Sequence, residues 1–309
     1  MKVIDIKGPG LAEDFVIPAG TDGVQFHRPL NRRDYEILSD RLLHRPEVKL
    51  RVFHSGVGQR LTDLDFLAFF PTIRRLSIEL FWLTNIDGFS AVRDLDEFDF
   101  GRTKKKSYSL RFLSRFRSIK KLHIEGHRKD IDVLTSLPDL SVLSLRSVTL
   151  SDAILMTQFP KLRRLAIKLG GTTNLSDLSR LSDLTKLELW LIRGLTDLSF
   201  LEDMVSLEGL HLEALRNVTS LPSFRKLTKL RGVLLEKLPG VIDLQPVADA
   251  PALERLILYS MNNVELETLQ SFVSHPTLRR LIPDLGSLKR TTYAVDLFRL
   301  DDNGNLAPR

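Results

Sequence analysis

The sequence contains no cysteine. That absence excludes a disulfide framework, a thiolate metal site and a cysteine nucleophile, and it suits a reducing compartment. No apolar run near the N-terminus is long enough for a signal peptide. No uncharged apolar stretch approaches the ~20 residues that span a bilayer. The expectation is a cytoplasmic protein with no membrane contact. A glycine-rich phosphate loop and a zinc-protease helix signature are also missing, and no residue pattern calls for a cofactor or a small-molecule substrate. What remains is an ordinary ordered composition of 309 residues and 35.2 kDa, 43% hydrophobic and 27% charged.

Internal periodicity dominates the chain. The pattern L-x-x-L-x-L, with Ile, Val or Phe allowed for Leu, begins at Ile73, Leu95, Ile119, Leu140, Leu162, Leu184, Leu207, Leu230 and Leu253. Leu278-Arg279-Arg280-Leu281 starts one more copy that breaks at Pro283, and Leu50 and Val52 mark an earlier, divergent one. Successive starts lie 21 to 25 residues apart. Alternate side chains of each short strand point inward, and one repeat alone cannot bury them. Stacking at about 4.8 Å merges them into one core, where each buried Leu contributes roughly 1.5–3 kcal/mol. A second apolar set (Leu64 and Leu67, Leu178 and Leu181, Leu198 and Leu201, Leu221 and Leu227) returns the chain to the next strand. The turns Leu61-Thr62-Asp63-Leu64, Leu175-Ser176-Asp177-Leu178, Leu195-Thr196-Asp197-Leu198 and Val241-Ile242-Asp243-Leu244 precede it, with Asp or Ser/Thr as the expected cap.

These residues resemble the 22–23-residue class of leucine-rich repeats, found in bacterial internalins and in a phosphatase regulatory subunit. The resemblance covers roughly residues 48–283. It implies an α/β repeat fold: a leucine-rich repeat solenoid, horseshoe or arc, with a parallel concave sheet and short helical or 3-10 convex turns. It also implies a protein-binding role and, on the same ground, a bacterial origin. One feature departs from the family. Its usual asparagine, three residues after the last strand Leu, is replaced here by Gly170, Ile192 and Leu215, so the loop hydrogen-bond ladder must be built another way.

About ten repeats would fill residues 48–283. Residues 1–47 read as an N-terminal cap. Its β-rich part holds Val3–Ile6, Phe15–Ile17 and Val24–Phe26, and a helix follows over 31–45 with Tyr35, Ile37, Leu38, Leu42 and Leu43 at helical spacing. Residues 284–309 read as a small C-terminal β cap and tail, with Tyr293–Leu300 as a strand and Asp302-Asn303-Gly304 as a turn.

The strand positions between the inward residues form the concave surface. There Trp190, Leu234, Ile257 and Tyr259 are apolar or aromatic where water is expected. Lys168, Lys186, Glu188, His211, Glu213, Glu236 and Arg255 surround them with mixed charge. Aromatic anchors in a polar surround concentrate binding energy, and mixed charge suits a protein of complementary pattern. An alternative site lies in residues 102–130. The segment carries +9 while the rest of a +6 chain sums to −3, and Lys104, Lys105, Lys106 and Lys121 are its candidate anion contacts, for nucleic acid or an acidic surface. The opposing reading is a solvated patch neutralised by Asp94, Asp96, Glu97 and Asp99. Asp99, His123 and Ser144 share a column, but a bare sheet offers no oxyanion hole, and Asp99 is expected to pair with His123. His123, Glu125 and His127 alternate, but Gly126 ends the strand. No catalytic or metal-binding residue is assigned, and the reading is non-enzymatic.

Overall fold

A computed structural model describes residues 2–56, 60–105 and 108–306. The strands lie in one parallel sheet whose order follows the sequence from β1 to β13. The chain divides into two compact units, Met1–Leu145 and Arg146–Arg309.

The first unit contains β1 (Val3–Ile6), β2 (Gly23–Phe26), helix α1 (Arg32–Leu43), β3 (Lys49–Phe53), β4 (Arg75–Glu79), β5 (Glu97–Phe100) and β6 (Lys121–Glu125); β7 (Val142–Arg146) straddles the boundary. The segment expected to form a cap supplies the sheet's first two strands, with β1 parallel to β2 and β2 parallel to β3. Phe15–Ile17 is not a strand. Its carbonyls are taken by side chains of the helical segment instead: Arg41 Nε donates to Phe15 O at 2.7 Å and Arg45 Nη1 to Ile17 O at 2.8 Å. Helix α1 starts where expected, because the Asn31 side chain accepts from the Asp34 N–H at 2.8 Å. It buries Tyr35, Leu38 and Leu42.

The second unit contains β8 (Arg164–Lys168), β9 (Lys186–Trp190), β10 (Gly209–Glu213), β11 (Gly232–Glu236), β12 (Arg255–Tyr259) and β13 (Arg280–Pro283). The short helices α2 (Gln245–Ala248) and α3 (Gln270–Val273) precede β12 and β13 respectively, and α4 (Leu288–Phe298) follows β13. Helix α4 stands where a β cap is expected, and the correction is one of period. Tyr293, Val295 and Leu297 alternate as a strand would, yet the buried residues are Ala294 and Phe298, four apart. Ser287 caps the helix by accepting from Arg290 N–H. Among the described residues after β13, the β character of this end is one antiparallel bridge, Arg280 to Asn305, beyond the Gly304 turn.

In both units the repeat explains the core. The inward strand residues Leu76, Ile78, Phe98, Phe100, Leu122 and Ile124, and Leu165, Ile167, Leu187, Leu189, Leu210 and Leu212, are all buried. Most return segments are one-turn 3-10 helices, such as Asp87–Ala91 and Ser199–Asp203. Their entry is capped as expected at Asp63, Asp197 and Asp243, whose carboxylates accept from the N–H two residues on. At the fourth turn the acceptor is Asn174, one residue earlier than the expected segment. One turn leaves no room for a side chain: a Cβ on Gly88 would lie 2.2 Å from Leu64 O.

The loop ladder that lacks asparagine is closed by backbone. The residue after each of β7 to β11 turns left-handed, with φ of 53° at Ser147, 55° at Leu169, 50° at Leu191, 52° at Ala214 and 51° at Lys237. Its N–H then donates to the last carbonyl of the next strand: Leu169 to Trp190, Leu191 to Glu213, Ala214 to Glu236 and Lys237 to Tyr259. Ile192 and Leu215, freed from hydrogen bonding, are buried in the core. Gly170 is required at its position because a Cβ would meet Val148 O at 2.5 Å.

Candidate functional site

On the outward side of β8–β12 the register aligns two rows. One reads Ala166, Glu188, His211, Leu234, Ile257 and the next reads Lys168, Trp190, Glu213, Glu236, Tyr259. Ile282 on β13 pairs with Ile257 and extends the first row. Sequence reading passed over Ile282 because the pattern breaks at the following Pro283. Leu234, Ile257 and Ile282 therefore form a half-buried apolar line across three adjacent strands. Tyr259 beside it is 39% exposed.

Trp190 is less bare than expected. The Arg146 guanidinium lies 4.9 Å from its ring centroid and Lys168 Nζ lies 5.9 Å from it, a cation–aromatic arrangement that half-buries the indole. Gly209 and Gly232 lie on this face beside longer neighbours, at distances where a Cβ would make ordinary contact. A Cβ on Gly209 would meet the Lys186 stem at 3.8 Å, and one on Gly232 would meet the Arg255 guanidinium at 3.6 Å.

The acidic members are linked. Lys168 Nζ is 2.8 Å from one Glu188 oxygen, and His211 Nδ1 is 3.4 Å from the other. His211 Nε2 is 3.6 Å from Glu213, and Lys237 is 2.7 Å from Glu236. The hydrogen bond from His211, joined by Lys168, holds the Glu188 carboxyl down at about 2 against the opposing effect of burial. Burial and then the neighbouring Glu236 charge push the Glu213 carboxyl up. Because the Glu188 pKa falls on folding, its stabilisation is complete above its unfolded value of 4.5 and is lost as pH drops toward 2. Glu188→Gln is expected to lower stability by about 1–3 kcal/mol at neutral pH. Thermal melts of wild type and variant should converge as the pH falls through that window; a gap independent of pH would refute the assignment.

The first unit's outward side is internally paired. Arg51 binds Glu79 through two hydrogen bonds of 2.7 and 2.6 Å, and Glu79 also accepts from Ser77, which is buried rather than open. Lys49 reaches Asp99 at 2.7 Å from two strands away. His127 turns inward after Gly126, stacks 4.2 Å from Phe100 and contacts Gly101 O at 3.2 Å. Burial lowers its pKa against the opposing effects of the Gly101 carbonyl and the Glu125 charge.

The compensation expected for residues 102–130 follows a different pattern. Asp94 and Asp96 are bound by Arg74, at 3.6 and 2.6 Å, and Asp99 by Lys49. From the basic segment, Lys121 reaches Glu97 at 3.7 Å and Arg111 reaches Asp130 at 3.5 Å. Lys104 lies 4.7 Å from the Trp82 ring and Lys105 lies 4.9 Å from Tyr108; Lys106 is outside the described residues. Tyr108 and Phe116 are core residues, and Phe112 stacks on Phe89 at 4.4 Å.

No family model matches the sequence, and no curated protein matches it. Among solved structures, an internalin from Listeria monocytogenes superposes with a TM-score of 0.55 at 18% identity, over 87% of this chain and 76% of that one. The fold is a leucine-rich repeat solenoid. Internalin C2 from the same organism aligns at 17% identity and a TM-score of 0.42, over 73% of this chain and 83% of its own. At 18% identity the likeness to the first of these concerns the fold alone. Among the described residues, no helix is long and apolar enough to cross a membrane.

Proposed function

We propose that this leucine-rich repeat chain is a non-enzymatic scaffold that binds another protein on the outward face of β8–β13. The observation that carries the reading is the contiguous line Leu234, Ile257 and Ile282, flanked by Tyr259 and Trp190 and bordered by Lys186, Glu213, Glu236 and Arg255. An apolar strip with aromatic anchors inside a mixed-charge rim is how protein interfaces are built. The test is capture from a lysate of the source organism on immobilised chain. Trp190→Ala with Tyr259→Ala should weaken retention of the captured protein by about thirty-fold, from about 2 kcal/mol, with little effect of salt. Unchanged retention would refute it.

A second reading has its own support. Asp94, Asp96 and Asp99 are shared with Arg74 and Lys49, outside the segment, so these acids do not serve residues 102–130 alone and the segment's excess of positive charge favours an anionic partner, nucleic acid or an acidic surface. Capture that is indifferent to the aromatic variants, steeply salt-dependent and lost in Lys104→Glu/Lys105→Glu would favour that reading.

A further inference from the structure

His211, Glu213 and Glu236 stand two residues apart on β10 and one repeat apart on β11, where Glu213 and Glu236 are register partners. Their donor atoms all lie within 4.8 Å of one another. The set joins an imidazole to two carboxylates, which suits a borderline ion such as Zn²⁺ and not the all-oxygen shells of Ca²⁺ or Mg²⁺. We propose that these three residues form a binding site for one divalent transition-metal ion on the outward face of β10 and β11.

Three further observations point to a ligand. His211 Nε2 is buried and has no hydrogen-bond partner, while Glu213 Oε2 stands 3.6 Å away. Donors at about 2.0–2.1 Å around a tetrahedral ion sit about 3.3 Å from one another, so this pair is nearly in place, and side-chain rotation of Glu236 completes the set. The opposite ring nitrogen, Nδ1, faces Glu188, which is itself fixed by Lys168. A carboxylate on Nδ1–H holds the tautomer whose Nε2 lone pair is free to ligate, the arrangement that supports metal-bound histidines generally. Finally, Glu213 and Glu236 face each other as register partners across the strand pair, and a cation between two such carboxylates offsets their mutual repulsion. Lys237, which contacts Glu236 at 2.7 Å, is mostly exposed and free to swing into solvent. Trp190 and Tyr259, the register partners of Glu213 and Glu236, wall the site on either side.

The competing account has His211 simply bridging Glu188 and Glu213 with no affinity for metal. Titration calorimetry of the chelator-stripped full chain with Zn²⁺ separates the two. The expected result is saturable binding of one ion per chain, weakened at least ten-fold in both His211→Ala and Glu236→Gln and not competed by Ca²⁺. Glu188→Gln should weaken Zn²⁺ by about 10–100-fold while Co²⁺ still gives the same visible absorption at saturation, as befits a positioning residue. Absence of saturable binding would overturn the proposal, and so would equal affinity in folded His211→Ala and Glu236→Gln, which would place the ion at another histidine. The measurement uses the isolated chain, so its outcome is separate from that of the partner capture.

Discussion

Leu187→Asp is expected to unfold the stack around β9. Leu187 is 2% exposed and sits in register between Leu165 and Leu210, both buried. The substitution removes a buried isobutyl group and puts an uncompensated carboxylate in its place, a loss of more than about 4 kcal/mol. In a repeat protein each strand is supported chiefly by its neighbours, so the damage centres on β8 to β10. The two tryptophans make this legible, because Trp190 reports on β9 and Trp82 on the first unit. In a Trp82→Phe background the variant's fluorescence should already be that of the unfolded chain, or should unfold at far lower denaturant than its parent. Wild-type stability would mean that Leu187 faces outward and that the register is wrong.

The second large effect is expected in the first unit at Phe89. Its ring stacks on Phe112 at 4.4 Å and meets Phe98 at 5.3 Å and Phe100 at 5.9 Å, edge to face. These are the separations and angles at which aromatic pairs add to simple burial. Phe89→Ala removes the fully buried ring that contacts the other three members of the cluster and should cost about 3–5 kcal/mol. Chemical denaturation read from Trp82 in a Trp190→Phe background measures it. A cost under about 1 kcal/mol would show that the neighbouring rings collapse into the space.

The strand register was legible in the sequence because the inward period of two recurs with every repeat, and Leu76, Leu187 or Leu256 could be assigned from spacing alone. The left-handed residues after the strands were not. Leu169, Leu191 and Lys237 take positive φ without being glycine, and a residue type that tolerates the conformation without preferring it leaves no mark in composition. Helix α4 was misread because Tyr293, Val295 and Leu297 offered a strand period beside the helical pair Ala294 and Phe298. Arg74 and Lys49, as partners of Asp96 and Asp99, were not legible for a geometric reason: they reach the carboxylates from one and two strands away, distances that a window along the chain does not span. His211, Glu213 and Glu236 were each placed on the outward face, but their convergence was missed. The signal that could have shown it is His-x-Glu on one strand with a glutamate one repeat length after the first.

The central claim is that the outward face of β8–β13 receives a protein. Its most direct test places a benzophenone amino acid at Tyr259, on that face, or at Val205, exposed in the turn before β10, and irradiates the chain in lysate. The account predicts a crosslinked protein adduct from position 259 that is suppressed by Trp190→Ala, with none from position 205. An adduct from position 205 with none from 259 would contradict it and move the binding surface to the turns.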